Sequence, residues 1–256
     1  MTDTRTTPIA LITGGSRGLG RSMALHLAEH GVDVIFTYRA AASDANEVRE
    51  HIRSLGRKAV ALPLDVADSR QFDAFAGAVA AELERTWDRK QLDYLVNNAG
   101  TSLHAGIAET TAAQLDEIYS VHFKAPFLLT QRLLPLIADG GRVINISSGL
   151  ARMTLPGSSA YGAMKAAVEV LTRYMAKELG ARRITANVVA PGAIATDFSG
   201  GMVRDNPEVN RTVASMTALG RVGQPDDVGG VVAMLLAPES GWINGQRIEV
   251  SGGMGL

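Results

Sequence analysis

The sequence predicts one doubly wound α/β domain over residues 1–256, a three-layer α/β/α sandwich around a seven-stranded, mostly parallel sheet. Short apolar runs rich in β-branched residues alternate with longer segments of helical periodicity along the chain. The strand runs are apolar throughout, which is typical of a parallel sheet covered by helices on both faces. No stretch rich in Pro, Gly or Ser divides the chain, so its 256 residues can share one large core.

The predicted elements follow in a regular order. Strands are predicted at Ile9 to Thr13, Val32 to Thr37, Lys58 to Leu62, Leu92 to Asn97, Arg142 to Ser147, Ile184 to Ala190 and Arg247 to Val250. Helices are predicted from the first glycine loop to His30 with Gly31 as cap, at Ser43 to Leu55, about Ser69 to Arg85, Ala112 to Ala138 with an interruption near Pro126, around Tyr161, and at Asp226 to Leu236. The segment 192–223 is long enough to form a lid over a ligand.

Composition excludes several functional classes. A formal net charge of −1 gives no long-range attraction toward nucleic acid or anionic lipid. The absence of cysteine excludes disulfides, thiolate catalysis and Cys-based metal sites. The first eight residues lack the apolar core of a signal peptide, and the longest apolar runs are too short to cross a bilayer. We therefore expect a cytoplasmic protein that acts on a small molecule, with no nucleic-acid or membrane partner.

Polar or glycine-rich motifs follow four of the predicted strands. They are the glycine loop after the first strand, Asn97 to Gly100, Ser147-Ser148 and Pro191-Gly192. In parallel sheets ligands bind beyond the carboxyl ends of the strands, where the strand order reverses. The four motifs therefore predict one ligand site at this edge.

The glycine loop, Thr13 to Gly20, has the spacing G-x-x-x-G-x-G. Glycines let backbone amides approach a pyrophosphate, which the N-terminus of the following helix stabilises. A tight strand-to-helix turn without a ligand is the alternative interpretation.

Tyr161 and Lys165 are four residues apart, so a helix places both side chains on one face. A lysine cation about 4 Å from a phenol, at an effective dielectric near 20, would lower the phenol pKa by about 3 units. The tyrosine would then exchange protons at neutral pH, as carbonyl reduction and alcohol oxidation require. By itself the pair could equally be a surface pair.

Together, the glycine spacing, Asn97-Asn98-Ala99-Gly100, Ser148, Tyr161-x-x-x-Lys165 and Pro191-Gly192 resemble the short-chain dehydrogenase/reductase family, in its subclass of about 250 residues. The resemblance runs from Pro8 to Gly253 and implies a Rossmann fold that binds a nicotinamide dinucleotide. It implies that Tyr161 is the acid/base, that Lys165 holds the nicotinamide ribose, and that Ser148 binds the substrate oxygen while Ser147 is buried. It also implies a set of cofactor-binding positions. These are Gly14, Ser16, Arg17, Gly18, Leu19, Gly20, Tyr38, Arg39, Asp65, Val66, Asn97, Ala99, Gly100, Tyr161, Lys165, Pro191, Gly192, Ile194 and Thr196.

The chain departs from this family at His122, where an asparagine usually helps to anchor a water in a proton relay. An imidazole can also donate and accept hydrogen bonds, so His122 could substitute in the site. It could equally be a packing variant with the relay rerouted.

Cofactor choice depends on the end of the second strand. Enzymes that use NAD place a carboxylate there for the ribose 2′-hydroxyl. This chain has Tyr38-Arg39 and no acid, with Arg17 inside the glycine loop. Two guanidinium groups suit a 2′-phosphate, which predicts NADP(H), although both arginines could be merely solvated.

The predicted function is reversible, NADPH-dependent reduction of a ketone or aldehyde, without a metal. A 3-oxoacyl-acyl-carrier-protein reductase is one alternative, for which Arg182 and Arg183 would receive the acidic carrier, unless they only complement a helix C-terminus. A protein that binds NADP as a sensor without chemistry is another. The predicted substrate pocket is apolar. It comprises His104, Leu150, Met153, Leu155, Met202 and Val203.

Two further patterns concern metal binding and assembly. His26-x-x-Glu29-His30 matches a zinc pattern, but helix geometry places both histidines on the solvent face, and no third ligand follows. The Tyr161 helix is apolar over most of its circumference, so its outer face must also be covered. Burial within one chain would suffice, but the resemblance implies packing across subunits in a homotetramer, or alternatively a dimer.

Overall fold

The computed structural model describes residues 7–256 and confirms the doubly wound sandwich. Expectations that concern residues 1–6 lie outside the described residues. The strands are β1 (Ile9–Ile12), β2 (Asp33–Tyr38), β3 (Ala59–Pro63), β4 (Leu92–Asn97), β5 (Ile137–Ile146), β6 (Thr185–Pro191) and β7 (Arg247–Val250). Their order is β3-β2-β1-β4-β5-β6-β7, and neighbouring strands are parallel throughout. The order reverses between β1 and β4, which places the predicted ligand crevice at their carboxyl ends.

Helices cover both faces of the sheet. They are α1 (Gly18–Glu29), α2 (Ala42–Ser54), α3 (Phe72–Trp87), α4 (Ala112–Tyr119), α5 (Ala125–Leu133), α6 (Ser159–Glu178), α7 (Met202–Asp205), α8 (Pro207–Ser215) and α9 (Pro225–Leu236). One core cluster packs α1, α2 and α9 against the sheet, and a second packs α3, α5 and α6 against the opposite face. Among the described helices, none is long and apolar enough to cross a membrane.

The long helix predicted over Ala112 to Ala138 is wrong at its end. Ile137 is fully buried and begins β5, where it pairs with Leu92. The apolar run before it suits a helix and a buried strand equally, so periodicity alone does not separate the two. The predicted interruption is confirmed as a π-helical turn, Ser120–Lys124, directly before α5, and Pro126, which has no N–H to donate, lies in the first turn of α5.

The interpretation of His26 as a solvent-facing residue is also wrong. Its ring packs against α9 beside Gly229 and lies 3.6 Å from the Asp226 carboxylate. The reason is that α9 covers the face of α1 next to the one that contacts the sheet. His30 is exposed as expected, and no group of three potential metal ligands occurs among residues 7–256.

Candidate active site

Contacts from the end of β4 fix the glycine loop. Thr13 Oγ1 accepts hydrogen bonds from the backbone N–H of Asn98 and Ala99, at 2.9 and 3.0 Å. Asn98 Nδ2 donates to the carbonyl oxygens of Thr13 and Gly14, at 2.9 and 3.1 Å. Gly14 has φ +67°, and a Cβ there would lie 3.1 Å from the Ala99 backbone, so this position requires glycine. Sequence reasoning missed Asn98, although it is adjacent to Asn97 in the same motif.

The N-terminus of α1 fits a phosphate. No side chain caps this helix, no acid lies in its first turn, and Arg17 precedes it. Uncapped amides and the helix dipole together favour an anion. A cavity of about 250 Å³ lies between Gly18 and Thr196, two of the predicted cofactor residues. These features fit a phosphate at the loop, as the glycine spacing predicts.

Three other residues predicted to bind the cofactor lie on the inner side of the glycine loop. Ser16 and Gly20 are buried, and Leu19 packs against the first core cluster. The buried side chain of Ser16, the partly buried side chain of Leu19 and the close approach of Gly20 to the Gly14 carbonyl therefore shape the loop, which leaves backbone amides as the groups available to a ligand.

The end of β2 lies beside this loop. Gly15 N–H donates to the carbonyl of Thr37 at 2.8 Å, and Gly14 N–H donates to Thr37 Oγ1 at 3.0 Å. Arg17 and Arg39 are exposed, and neither has an ion pair within the described part of the chain. The structure thus brings two unpaired guanidinium groups to the edge where sequence reasoning expected a 2′-phosphate.

The remaining predicted cofactor positions surround the crevice. Asp65 and Val66 follow β3 and are half-buried, and Asp65 Oδ1 accepts from the N–H of Ala67 at 3.0 Å.

The predicted residues after β6 lie close to neighbouring backbone. Pro191 ends β6, and a Cβ on Gly192 would lie 2.9 Å from the Cα of Ser251. Ile194 pairs with Gly223, and Thr196 is buried.

Asn97 has a role that sequence reasoning did not foresee. Its side-chain amide donates to Thr130 Oγ1 at 3.0 Å and to Asn145 Oδ1 at 2.8 Å, and all three residues are buried. Asn145 in turn donates to Thr172 on α6. The Asn97 side chain therefore joins β4 and β5 to the helices beneath the site, and only its backbone lies at the crevice beside Ala99 and Gly100.

The structure brings Ser148, Tyr161 and Lys165 together. Tyr161 lies in the first turn of α6 and is 9% exposed, and its hydroxyl is hydrogen-bonded to Ser148. Lys165 is buried one turn later, with Nζ 5.6 Å from the centroid of the Tyr161 ring. Lys165 Nζ donates to the carbonyl of Ile146 at 2.7 Å. Ser147 is buried as expected, which leaves Ser148 as the serine that faces the tyrosine.

The predicted lowering of the Tyr161 pKa is wrong for the chain by itself. Burial raises the pKa of Tyr161 to about 12, and the hydrogen bond from Ser148 opposes that shift only in part. Burial also lowers the pKa of Lys165 to about 7, so its charge is itself disfavoured there. The spacing of the two residues predicted their shared face, but it could not reveal that both groups are desolvated.

His122 lies in the π-helical turn and is 2% exposed. Its ring meets the Tyr161 ring edge-on, with centroids 5.1 Å apart. Nε2 lies 2.8 Å from the carbonyl of Thr101, whereas Nδ1 has no hydrogen-bond partner. Burial, assisted by the nearby Lys165, lowers the pKa of His122 to about 3. The ring is therefore neutral. Nε2 lies 3.3 Å from the backbone N–H of Thr101 as well, but its shorter contact is to the Thr101 carbonyl, which favours an Nε2–H donor and leaves Nδ1 as the free acceptor.

Sequence reasoning also missed Phe198. Its ring centroid lies 6.0 Å from that of Tyr161, and the side chain is 43% exposed. It begins a short 3₁₀ turn, Phe198–Gly201, within the predicted lid segment. Ser199 follows with φ +55°, a left-handed conformation that non-glycine residues rarely adopt. No sequence pattern indicates that Phe198, in a strained turn after β6, lies over Tyr161.

The predicted substrate residues fall into two groups. Leu155 and Met202 are about half exposed, at 54% and 50%, as expected for the open wall of a pocket. Met153 instead packs between Gly149 and Gly255, which links this wall to the C-terminal segment. His104 is exposed and lies against Gly157, while Leu150 and Val203 are half-buried.

Comparison with known proteins agrees with this geometry. A family model described as enoyl-(acyl carrier protein) reductase matches residues 14–255. Tetrahydroxynaphthalene reductase PfmaG of Pestalotiopsis fici is 37% identical over 96% of this chain and 90% of its own. The ketoreductase LugOII, which catalyses keto-reduction at C1 in lugdunomycin biosynthesis, has a TM-score of 0.92 and 40% identity, over 97% of both chains. The angucycline C-6 ketoreductase LanV, solved with bound NADP, has a TM-score of 0.92 and 36% identity, over 97% of this chain and 95% of its own.

Fold, motif order and sequence similarity agree over nearly the whole chain. The chain therefore belongs to the short-chain dehydrogenase/reductase family of oxidoreductases.

Proposed function

We propose that this enzyme reduces the carbonyl group of an aromatic cyclic ketone or quinone to an alcohol, with Ser148, Tyr161 and Lys165 as its catalytic residues. Its reaction class is NADP-dependent carbonyl reduction. The observation that carries the proposal is the cluster of these three side chains at the sheet edge that also holds the uncapped glycine loop.

In the proposed reaction, bound NADPH would supply the hydride that the carbonyl carbon receives. The Tyr161 phenol gives its proton to the carbonyl oxygen, and Ser148 Oγ donates a hydrogen bond that orients this oxygen. A pKa of about 12 keeps the phenol protonated at neutral pH, which is the state that reduction consumes. Burial of Tyr161 therefore favours reduction, whereas the reverse oxidation needs the phenolate.

Lys165 and His122 are proposed to restore the proton on Tyr161. A pKa of about 7 lets the Lys165 amine gain and lose a proton near neutrality. With Nε2 as the donor, the unpartnered Nδ1 of His122 is an acceptor on a ring that contacts Tyr161, where it can hold a water that the usual asparagine would otherwise anchor. In this role His122 replaces the asparagine without becoming charged.

Preference for NADP(H) is supported by the unpaired Arg17 and Arg39. A guanidinium can grip a 2′-phosphate bidentately, and no carboxylate stands at the end of β2 to bind a 2′-hydroxyl. Replacing Tyr38 with Asp should move the ratio of kcat/KM for NADPH over NADH toward NADH by about tenfold. An unchanged ratio would refute this assignment.

The aromatic nature of the substrate is supported by Phe198, whose ring stands over Tyr161 beside the exposed apolar wall of Leu155 and Met202. An aromatic ring suits a planar substrate, because offset or edge-to-face contacts add to burial. Of the similar proteins named above, one is a tetrahydroxynaphthalene reductase and another an angucycline C-6 ketoreductase.

An acyl-carrier reductase is the second candidate, favoured by the description of the matching family model. The arginines expected to receive a carrier weigh against it. Arg182 is engaged with the Asp139 carboxylate at 2.7 Å, and Arg183 lies two residues before β6, at the amino edge of the sheet opposite the site.

The test is a carbonyl panel followed by loss of NADPH absorbance, with NADH in parallel. We expect phenanthrenequinone and α-tetralone to be reduced with a higher kcat/KM than acetoacetyl-CoA or an aliphatic ketone. Preference for acetoacetyl-CoA would favour the acyl-carrier reductase. Tight NADPH binding with no turnover of any member would refute the proposed function in favour of a sensor.

We also propose that the enzyme is a homotetramer. The outer face of α6 exposes Val170 at 44% and Tyr174 at 61%, and the neighbouring Phe127 of α5 is 44% exposed. A second copy of the same apolar surface would cover these side chains isologously in a dimer, and two such dimers would form the tetramer that the family resemblance implies. Sedimentation velocity should give a tetramer, and replacing Tyr174 with Glu should dissociate it, whereas a monomeric wild-type protein would contradict the proposal.

A further inference from the structure

Four charged side chains of alternating sign connect the C-terminal strand to the turn that carries Ser148. We call Arg152, Glu249, Arg247 and Glu169 the ion-pair chain. Arg152 binds the Glu249 carboxylate with two hydrogen bonds of 3.0 and 2.9 Å. Arg247 Nη1 donates to Glu249 at 2.8 Å, and Arg247 Nε donates to Glu169 at 2.8 Å. Glu249 and Arg247 thus each stand between two opposite charges.

The inner end of this chain contacts the backbone of the catalytic segments. Glu169 Oε1 accepts from the hydroxyl of Ser147 at 2.7 Å, and that hydroxyl also lies 3.2 Å from the carbonyl of Lys165. Arg247 Nη2 donates to the carbonyl of Ser148 at 3.3 Å. Glu169 and Arg247 therefore bind Ser147 and Ser148, respectively.

The outer end contacts the C-terminal residues. Arg152 donates to the carbonyls of Met254 and Gly255, at 3.3 and 3.4 Å. Its side chain is 42% exposed, whereas that of Glu169 is 13% exposed, so burial increases toward the site. Solvent screens the outer pair, and the inner pair is the one whose loss would leave a poorly solvated charge.

The position of Ser148 depends on the turn that it begins. Ser148 caps the 3₁₀ turn Gly149–Ala151, and its Oγ accepts from the N–H of Leu150 at 3.2 Å. The same hydroxyl is hydrogen-bonded to the hydroxyl of Tyr161. Because Arg247 binds the Ser148 carbonyl and Glu169 binds Ser147, rotation of this turn would break contacts to β7 and α6.

We propose that the ion-pair chain positions Ser148 against Tyr161, with Arg247 and Glu169 as positioning residues that do not touch the substrate. The inference rests on the proposed function, because Ser148 is taken to orient the carbonyl oxygen. A positional error of about 1 Å in such a site can cost about a hundredfold in rate, so a loosened turn would act on kcat.

The test compares Arg247→Met, Glu169→Gln and their double variant with wild-type enzyme. Arg132→Met is the matched control, since it removes another ion pair between elements, Arg132 with Asp73 at 2.6 Å, away from the site. Each protein is assayed for kcat and KM with phenanthrenequinone and NADPH, for NADPH Kd by fluorescence, and for thermal unfolding. Amide hydrogen exchange of residues 147–152 reports the turn independently of chemistry.

We expect each single variant to lower kcat by about ten- to a hundredfold, while NADPH Kd changes by less than about twofold. The double variant should lose no more than the worse single one, because both changes release the same turn. Arg247→Lys should recover part of kcat, since an ammonium can reach Glu169 but cannot span three acceptors as a guanidinium does. Exchange over residues 147–152 should be faster in the variants and unchanged in Arg132→Met.

Variants that keep wild-type kcat, or whose kcat falls only as far as their melting temperature predicts, would overturn the proposal. Additive losses in the double variant would do so as well. If the wild-type enzyme reduces no carbonyl compound, the proposed function fails, and the exchange measurement decides the positioning role. Unchanged exchange in Arg247→Met would then refute it.

Discussion

The two edges of the sheet differ in how their buried titratable side chains are hydrogen-bonded. At the amino edge they are paired. Asp33 is 4% exposed and accepts from Lys58 N–H at 2.8 Å and from Trp87 Nε1 at 2.7 Å. Asp93 accepts from Ile9 N–H at 2.7 Å and from Arg89 at 2.9 Å.

At the carboxyl edge two buried titratable groups, Lys165 and His122, lack such partners. Lys165 is a buried amine whose hydrogen bond goes to a neutral carbonyl, and His122 Nδ1 has no partner. The nearby Ser199 holds a left-handed backbone conformation. Satisfied polar groups stabilise a fold, whereas unsatisfied or strained ones cost stability and persist where a site uses them. Substitutions at the amino edge should therefore change stability, and substitutions at the carboxyl edge should change activity.

The largest effect should come from Tyr161→Phe. Removing the phenol oxygen deletes the proposed proton donor, so kcat should fall by about a thousandfold. NADPH Kd and melting temperature should stay near their wild-type values, because the ring and its contacts remain. Tyr174→Phe, an exposed tyrosine of the same helix, is the control and should keep full turnover. Activity retained in Tyr161→Phe would overturn the mechanism.

The next effect concerns acid stability and His122. In the unfolded chain this ring is protonated near pH 6.5, whereas in the folded protein it is protonated only near its lowered pKa of about 3. The unfolded state therefore binds more protons between these values, and the free energy of unfolding falls as pH drops through them. At pH 4 the loss should be about 3 kcal/mol relative to pH 7.

His122→Asn removes this titration and should flatten that part of the stability curve. Urea unfolding from pH 7 to pH 4 measures the difference between the variant and wild type. His51→Asn, at an exposed histidine of α2, is the matched control and should leave the curve unchanged. A His122→Asn curve parallel to wild type would contradict the prediction, because it would mean that the ring has the same pKa in the folded and unfolded states.

The third prediction separates the two directions of catalysis. Oxidation needs the Tyr161 phenolate, whose fraction rises tenfold per pH unit below a pKa of about 12. Initial rates of alcohol oxidation with NADP should therefore rise by about a hundredfold from pH 7 to pH 9, while reduction loses no protonated Tyr161. A plateau in oxidation near pH 7 would show that Lys165 lowers the tyrosine pKa in the complex after all.

The sequence predicted the fold and the composition of the site better than its energetics. Apolar strand runs and the positions after them suffice to place the glycine loop, Ser148 and Tyr161 at one edge. Spacing could not show that Tyr161 and Lys165 are both desolvated, because burial depends on everything packed around them.

Contacts between residues far apart in the chain could not be predicted from the sequence either. Arg247 and Glu169 are 78 residues apart, and Arg152 and Glu249 are 97 apart. Charged residues at such separations have no periodicity in common. Ile137 was assigned to a helix because an apolar run fits both a helix and a buried strand, and only its pairing with Leu92 decides between them.

The smallest effect should come from the amino edge, where Asp33→Asn tests the other half of the comparison. An amide can accept only one of the two hydrogen bonds that Asp33 accepts, so its NH₂ group would face a buried N–H donor. We expect the free energy of unfolding to fall by about 2 kcal/mol, or a few degrees in melting temperature, with kcat and KM unchanged. Asp139→Asn, at a side chain 60% exposed that pairs with Arg182 on the same edge, should change stability by less than about 1 kcal/mol. A fall in kcat for Asp33→Asn without loss of stability would show that the two edges are coupled through β1 and β2, and the division between them would then fail.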